Sequence, residues 1–296
     1  MSKHGTIINR KDILEEKYKV LTHIASGGMS DVYLVEDIYD TGRLRAVKVV
    51  KKGHKLASKL VDESIILSQL NHPNIPKMID FFSSSDYIYL VMEYAEGTVL
   101  SDYLLSKDYQ ISIDQVIHIG IQLCDILTYL HHRSEPIIYR DIKPGNIILG
   151  NDGNIRLIDF GISRKFQSGK MEDTVKIGTV GFAAPEQFEK KQTDERTDLF
   201  SLGSLLYYML SGGKYVYVVQ KPISQFVKRL PSSLEKCINQ LVELEPDKRI
   251  QHAEEAKKLL FRANDEMAKR KPRLLISIGI TALFIVVLFA ISLLMI

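Results

Sequence analysis

The chain is poor in cysteine. Cys124 and Cys237 are its only two in 296 residues, too few and too far apart for a disulfide framework or a cysteine metal site. Both read as small buried apolar residues, which suits a reducing compartment. The first 17 residues, MSKHGTIINRKDILEEK, hold no apolar run, so no secretory signal peptide is expected. Gly5 does not follow the initiator Met, which argues against N-myristoylation. Repeats and low-complexity segments are absent. Net charge is also scarce, with 39 Lys plus Arg against 36 Asp plus Glu, a balance of +3. That excess sits in residues 262–273, where Arg262, Lys269, Arg270, Lys271 and Arg273 oppose only Asp265 and Glu266. The rest of the chain is balanced, and nothing in it points to nucleic acid.

What is present is the composition of an ordinary globular protein, 45% apolar and 25% charged. The length allows two domains, or one large domain with two lobes. Residues 274–296 contain no charge. At about 1.5 Å per residue they would span about 34 Å as a helix, against a hydrocarbon core of about 30 Å. The segment is therefore expected to be a transmembrane helix, with nothing folded beyond it. The basic run before it, a juxtamembrane linker over 263–273, is expected on the cytoplasmic side. It would attract anionic lipid, with nucleic acid or an acidic regulator as the alternative partner. The expected whole is a cytoplasmic body tethered to a membrane by its C-terminal end.

Within the body, residues 1–17 read as a polar, weakly ordered leader. Strand-like runs rich in Val, Ile and Tyr follow at 18–25, 31–37, 44–50 and 87–93. A helical pattern interrupts them at 58–70. Helical periodicity dominates from residue 100. At 114–132 the apolar set is broad enough to predict deep burial. Shorter strand-like pieces recur at 147–149 and 155–158. The expected architecture is α+β: a small strand-rich N-lobe over 18–94 and a larger helical C-lobe over 95–262.

The chemistry lies in four places. The run Ile24-Ala25-Ser26-Gly27-Gly28-Met29-Ser30-Asp31-Val32 falls between two strands. Small residues at such a turn let backbone N–H groups approach a phosphate. A plain hairpin would look the same. Lys48 sits in an apolar strand, and Glu63, on the first helix, is its candidate carboxylate partner. Such pairs more often lie on the surface. The third place is Tyr139-Arg140-Asp141-Ile142-Lys143-Pro144-Gly145-Asn146, and the fourth Ile158-Asp159-Phe160-Gly161. Asp141 can accept a hydroxyl proton, and Lys143 can neutralise a transferring phosphoryl group. Asn146 and Asp159 are hard oxygen ligands of the kind Mg²⁺ takes when water and phosphate complete its shell. No GxxxxGK[ST] run is present, which excludes a P-loop ATPase.

These four motifs together resemble the protein kinase family. The resemblance covers about 18–262. YRDIKPGN, IDFGISR, GTVGFAAPEQ and TDLFSLG are similar to the Ser/Thr protein kinases of bacteria. It implies that residues 24–32 and Lys48 hold the phosphates of ATP, with Glu63 pairing to Lys48. It implies that the backbone of Glu93 and Tyr94, in the hinge, reads adenine. Asp141 would act as base beside Lys143, and Asn146 and Asp159 would bind Mg²⁺, or Mn²⁺ in its place. Glu186 would pair with Arg249, and Asp198 would brace the catalytic loop. Lys143 and Thr179 favour Ser/Thr over Tyr acceptors. Arg140 implies control by phosphorylation of the activation segment, where Ser163, Ser168, Thr174 and Thr179 are available and Thr174 is preferred. Three departures stand out. Ala25 and Ser30 replace family glycines, and Tyr139 replaces a His. All three keep small size or packing bulk.

The implied activity is transfer of the γ-phosphoryl group of Mg-ATP to Ser/Thr hydroxyls of protein substrates. Autophosphorylation and self-association on a bacterial cell membrane would accompany it. Two readings compete. One is a scaffold without phosphoryl transfer, disfavoured by the full set Lys48, Glu63, Asp141, Asn146 and Asp159. The other is a small-molecule kinase, disfavoured by the GTVGFAAPEQ run.

Overall fold

The computed structural model describes residues 8–26, 30–40, 42–54, 56–161, 163–165, 181–188 and 192–269. The small lobe is one antiparallel sheet of β1 (Ile13–Leu14), β2 (Tyr18–Ser26), β3 (Asp31–Asp37), β4 (Arg43–Lys51), β5 (Met78–Ser83) and β6 (Tyr87–Glu93). Their spatial order is β1-β2-β3-β4-β6-β5. The period of two in β4 sorts its side chains. Val47 and Val49 join Tyr18, Tyr33, Val35, Tyr89 and Val91 in an apolar cluster on one face. Lys48 lies between them in sequence, opposite Val32 and Leu90, and so takes the other face. The helix α1 (Ala57–Ser68) covers that face through Leu60, Ile66 and Leu67, which share a core with Val50 and Leu90.

The large lobe carries β7 (Thr98–Val99), α2 (Leu100–Ser106), α3 (Ile113–His131), β8 (Ile137–Ile138), β9 (Ile147–Leu149), β10 (Ile155–Leu157) and β11 (Arg164–Lys165). After these come α4 (Pro185–Phe188), α5 (Glu195–Leu210), α6 (Val216–Val219), α7 (Ser232–Leu241) and a last helix over 253–269. A capping box between Ser112 and Gln115 starts α3. Its apolar residues from Val116 to Leu130 are buried, as the broad pattern predicts. Helices α5 and α7 cross closely at Gly203, where a Cβ would come within 2.5 Å of the Leu241 Cβ. The strands β9 and β10 form a hairpin that carries the catalytic segments on either side of it.

Two features differ from expectation. From Ile8 onward the leader is ordered. Ile8 is buried in the small-lobe cluster, and β1 pairs with β2. Two apolar residues flanking a polar stretch are too few to show periodicity, yet they suffice to add an edge strand. At the other end the last helix runs through 262, with Ala263 fully buried and Met267 packed on the core. Its charged face hides that continuation in the sequence. Among the described residues no helix is long and apolar enough to cross a membrane. The segment 274–296, where a transmembrane helix is expected, lies outside them.

Candidate active site

Lys48 reaches two carboxylates. Its Nζ is 2.7 Å from Glu63 Oε2 and 2.8 Å from Asp159 Oδ1. The three residues come from β4, α1 and the turn after β10, so one ammonium ties the lobes together. The strand lysine that could have faced solvent is only 14% exposed, and Glu63 is 2% exposed. Burial alone would lower the Lys48 pKa, but Glu63 and Asp159 outweigh it and hold the group above the ordinary lysine value. Burial raises the Glu63 carboxyl, and Lys48 opposes that only in part. At Asp159 burial again pushes upward. Lys48, the Gly161 N–H and Lys143 together hold the carboxyl below its usual range. Glu63 also accepts from the Phe160 N–H at 3.1 Å, which locks the Asp-Phe-Gly turn to α1.

The catalytic loop is a second cluster. Lys143 Nζ lies 2.7 Å from Asp141 Oδ2. Asn146 donates from Nδ2 to Asp141 O at 3.0 Å and to Asp141 Oδ2 at 2.7 Å. That commits the amide nitrogen, so Oδ1 is the Asn146 atom suited to a metal. Two non-glycine residues here have left-handed backbone, Arg140 with φ 66° and Asp159 with φ 67°. Such a conformation costs of order 1–3 kcal/mol and needs external support. Asp198, fully buried on α5, accepts from the Tyr139 N–H at 2.8 Å and the Arg140 N–H at 2.6 Å. Gln187 donates to Arg140 O at 3.0 Å. Tyr139 packs edge-on against Phe160 at 5.0 Å and donates its hydroxyl to Ile158 O, confirming it as a packing residue.

Arg249 and Glu186 form a buried bidentate pair, at 2.7 and 2.9 Å. Thr197 donates to the same carboxylate at 2.9 Å. In the hinge, the Glu93 N–H donates to Lys77 O at 2.9 Å. Any main-chain contact from Glu93 to a base must therefore use its carbonyl. Ile24, Ala25 and Ser26 close β2, and Ser30 precedes Asp31 and Val32 at the start of β3. Gly27, Gly28, Met29, Thr174 and Thr179 lie outside the described residues. Ser163, one of the four hydroxyls considered for phosphorylation, is buried and donates to Tyr139 O at 3.3 Å, which makes it a poor acceptor.

Sequence reasoning missed His131, whose Nε2 is 2.9 Å from Asp198 Oδ2, and Gln187, which also accepts from the Ala184 N–H at 2.9 Å. Nothing in the helical pattern of α3 marks His131. Gln187 follows Glu186 directly and was the more accessible of the two. The site chemistry suits a nucleoside triphosphate with a divalent cation. Among the described residues no three His, Cys, Asp or Glu side chains could hold a metal by themselves. Asn146 and Asp159 offer the sparse oxygen set that fits a cation shared with phosphate and water.

A family model described as the protein kinase domain matches residues 18–272. A probable serine/threonine-protein kinase of Clostridium perfringens is 32% identical over 261 residues, covering 82% of this chain and 38% of that protein. Serine/threonine-protein kinase PrkC of Bacillus subtilis is 32% identical over 201 residues, 66% of this chain and 30% of its own length. Serine/threonine-protein kinase 36 of Pongo abelii is 34% identical over 236 residues, 77% of this chain and 18% of its own. The chain thus spans well under half the length of these curated relatives.

Proposed function

Because the chain belongs to the protein kinase family, we propose that it transfers the γ-phosphoryl group of Mg-ATP to Ser or Thr hydroxyls of proteins. The observation that carries this reading is the double ion pair of Lys48 with Glu63 and Asp159. It holds a cation where the phosphates of ATP would lie and places Asp159 beside it. Asp141 accepts the proton of the substrate hydroxyl as that oxygen bonds to the γ-phosphorus. The bond from phosphorus to the ADP oxygen then breaks. Lys143, already against Asp141, offsets charge on the moving phosphoryl group. Asn146 and Asp159 would hold Mg²⁺, which when bound screens the phosphate oxygens. Glu186, Arg249 and Asp198 keep this geometry without touching the reactants.

The resemblance of 161–186 to an activation segment supports autophosphorylation there, with Thr174 as the favoured acceptor. The uncharged stretch 274–296 and the basic residues before it support a membrane tether with the catalytic body in the cytoplasm. Incubation of the full chain with labelled ATP, Mg²⁺ and a generic protein substrate tests the reading. Labelled phosphoserine or phosphothreonine supports it. ATP binding without any label in protein favours the scaffold instead. Phosphopeptide mapping of the active enzyme should find Thr174 modified, and an unmodified Thr174 would exclude that site.

A further inference from the structure

Between Asp198 and Glu235 the chain has no carboxylate, yet it carries Lys214, Lys221, Lys228 and Arg229. All four are exposed, on the stretch that leads from α5 through α6 to α7. Among the described residues no carboxylate lies within ion-pair distance of Lys214, Lys221 or Lys228. The Lys214 ammonium instead sits 5.1 Å from the centre of the Phe226 ring. Phe226 meets Tyr207 edge-on at 6.0 Å, and the Tyr207 hydroxyl donates to Lys221 O at 2.8 Å. One pair of rings therefore fixes the positions of both lysines. Val218, between them in sequence, is also exposed. The result is a cationic surface with an apolar point in it, and nothing local neutralises its lysines.

That surface is fastened to the segment 181–188. Tyr217 donates its hydroxyl to Ala183 O at 3.1 Å, and Phe182 meets Tyr215 edge-on at 5.4 Å. Gly181 has φ 101°, and a Cβ there would collide with the Tyr215 ring. The same segment is joined to the catalytic loop, because Gln187 accepts from the Ala184 N–H and donates to Arg140 O, next to Asp141. A protein is too large to enter the cleft whole. Residues flanking a hydroxyl held at Asp141 must run over the neighbouring surface, and on this side that is 181–184 with α6 behind it. A cationic surface in that place is built to meet the protein substrate, and its charge selects acidic residues.

We infer that Lys214 and Lys221 determine specificity: they form a docking surface for acidic residues flanking the acceptor Ser or Thr of a protein substrate. This rests on the kinase reading of the same site and narrows its substrate class. The ion pairs are exposed, so each is modest and weakened by salt. Two together should shift substrate preference about tenfold. The chemical step should be spared, because no reacting group is touched.

The test uses the full-length enzyme and two peptides that differ only in the residues flanking one serine, glutamate in one and glutamine in the other. Steady-state kinetics are measured for wild type and for a double variant, Lys214→Glu with Lys221→Glu. Lys51→Glu, on an exposed end of β4 in the small lobe, is the control. Wild type should prefer the glutamate peptide about tenfold, through KM, and less so at high salt. The double variant should lose that preference, with KM for ATP and the rate on the glutamine peptide within about twofold of wild type. Lys51→Glu should keep it. Thermal melting reports whether each fold is intact. Lys214→Ala and Lys221→Ala, which add no charge, should each lower the preference about threefold. Equal kcat/KM for the two peptides in wild type would overturn the inference alone. So would a preference that survives in the double variant, or one that is lost equally in Lys51→Glu. Labelling of a generic protein with neither peptide labelled would overturn it too. Failure of the wild type to bind ATP or to label any protein would overturn the kinase reading and this inference with it.

Discussion

At the residue scale, Lys48, Glu63, Asp159, Glu186 and Arg249 are each held by a partner from a distant segment, whereas Asp141 is held within its own loop by Lys143 and Asn146. Asp159 is kept ionised by Lys48 and Gly161. Its folded pKa is depressed, so its contribution to stability is complete above the ordinary carboxylate value of about 3.9 and is lost as pH falls through the lower folded value. The stability gap between wild type and Asp159→Asn should therefore be flat at neutral pH and narrow below about pH 4. Denaturant melts across that range check it, and a gap that widens in acid would contradict the assignment. Lys48 has the opposite sign. Its raised pKa makes its contribution complete below about 10.4 and lost only at higher pH. Arg249 and Glu186 are both buried, and removing one strands the other. Arg249→Ala should cost about 3–5 kcal/mol, and lower the melting temperature by roughly 10 °C.

At the scale of elements, Glu266 on the last helix caps α7. It accepts the Ser232 N–H at 2.7 Å and the Ser233 N–H at 3.1 Å. Pro231, at the N-cap position, offers no side-chain cap of its own. Burial would raise the Glu266 pKa, but the Ser233 hydroxyl, which donates at 2.6 Å, together with the Ser233 and Ser232 N–H groups and the Ser232 hydroxyl, holds it below the usual range. Glu266→Gln should destabilise the body by about 1 kcal/mol at neutral pH, with the difference fading in acid. Calorimetry at two pH values reads both.

The same scale shows what the sequence made legible. β2, β3, β4 and β6 and helices α1 and α3 fall within one or two residues of their patterns, because alternation and helical spacing record which face is buried. β1 was missed because two residues cannot alternate. β5 was missed because its partner strand, not its own pattern, defines it. Lys48, Glu63, Asp141 and Asn146 could be found because motif spacing is local. His131 could not, since only packing of α3 on α5 brings it to Asp198.

For the whole molecule, Lys48 joins β4 of the small lobe to the Asp-Phe-Gly turn of the large one, across 111 residues of sequence. One ammonium therefore pairs with carboxylates of both lobes. If the segment 274–296 anchors the chain, its copies are confined to a surface, and autophosphorylation between them should rise with surface density. Reconstitution into vesicles at several protein-to-lipid ratios checks this, and a rate independent of density would contradict it.

The central claim is that Asp141 performs phosphoryl transfer chemistry on a nucleotide positioned by Lys48. It is tested most directly by measuring ATP affinity and label transfer in Asp141→Asn beside wild type and Lys48→Met. The account predicts near wild-type ATP binding in Asp141→Asn with transfer reduced by about 10³-fold or more. Transfer at the wild-type rate in Asp141→Asn would contradict it.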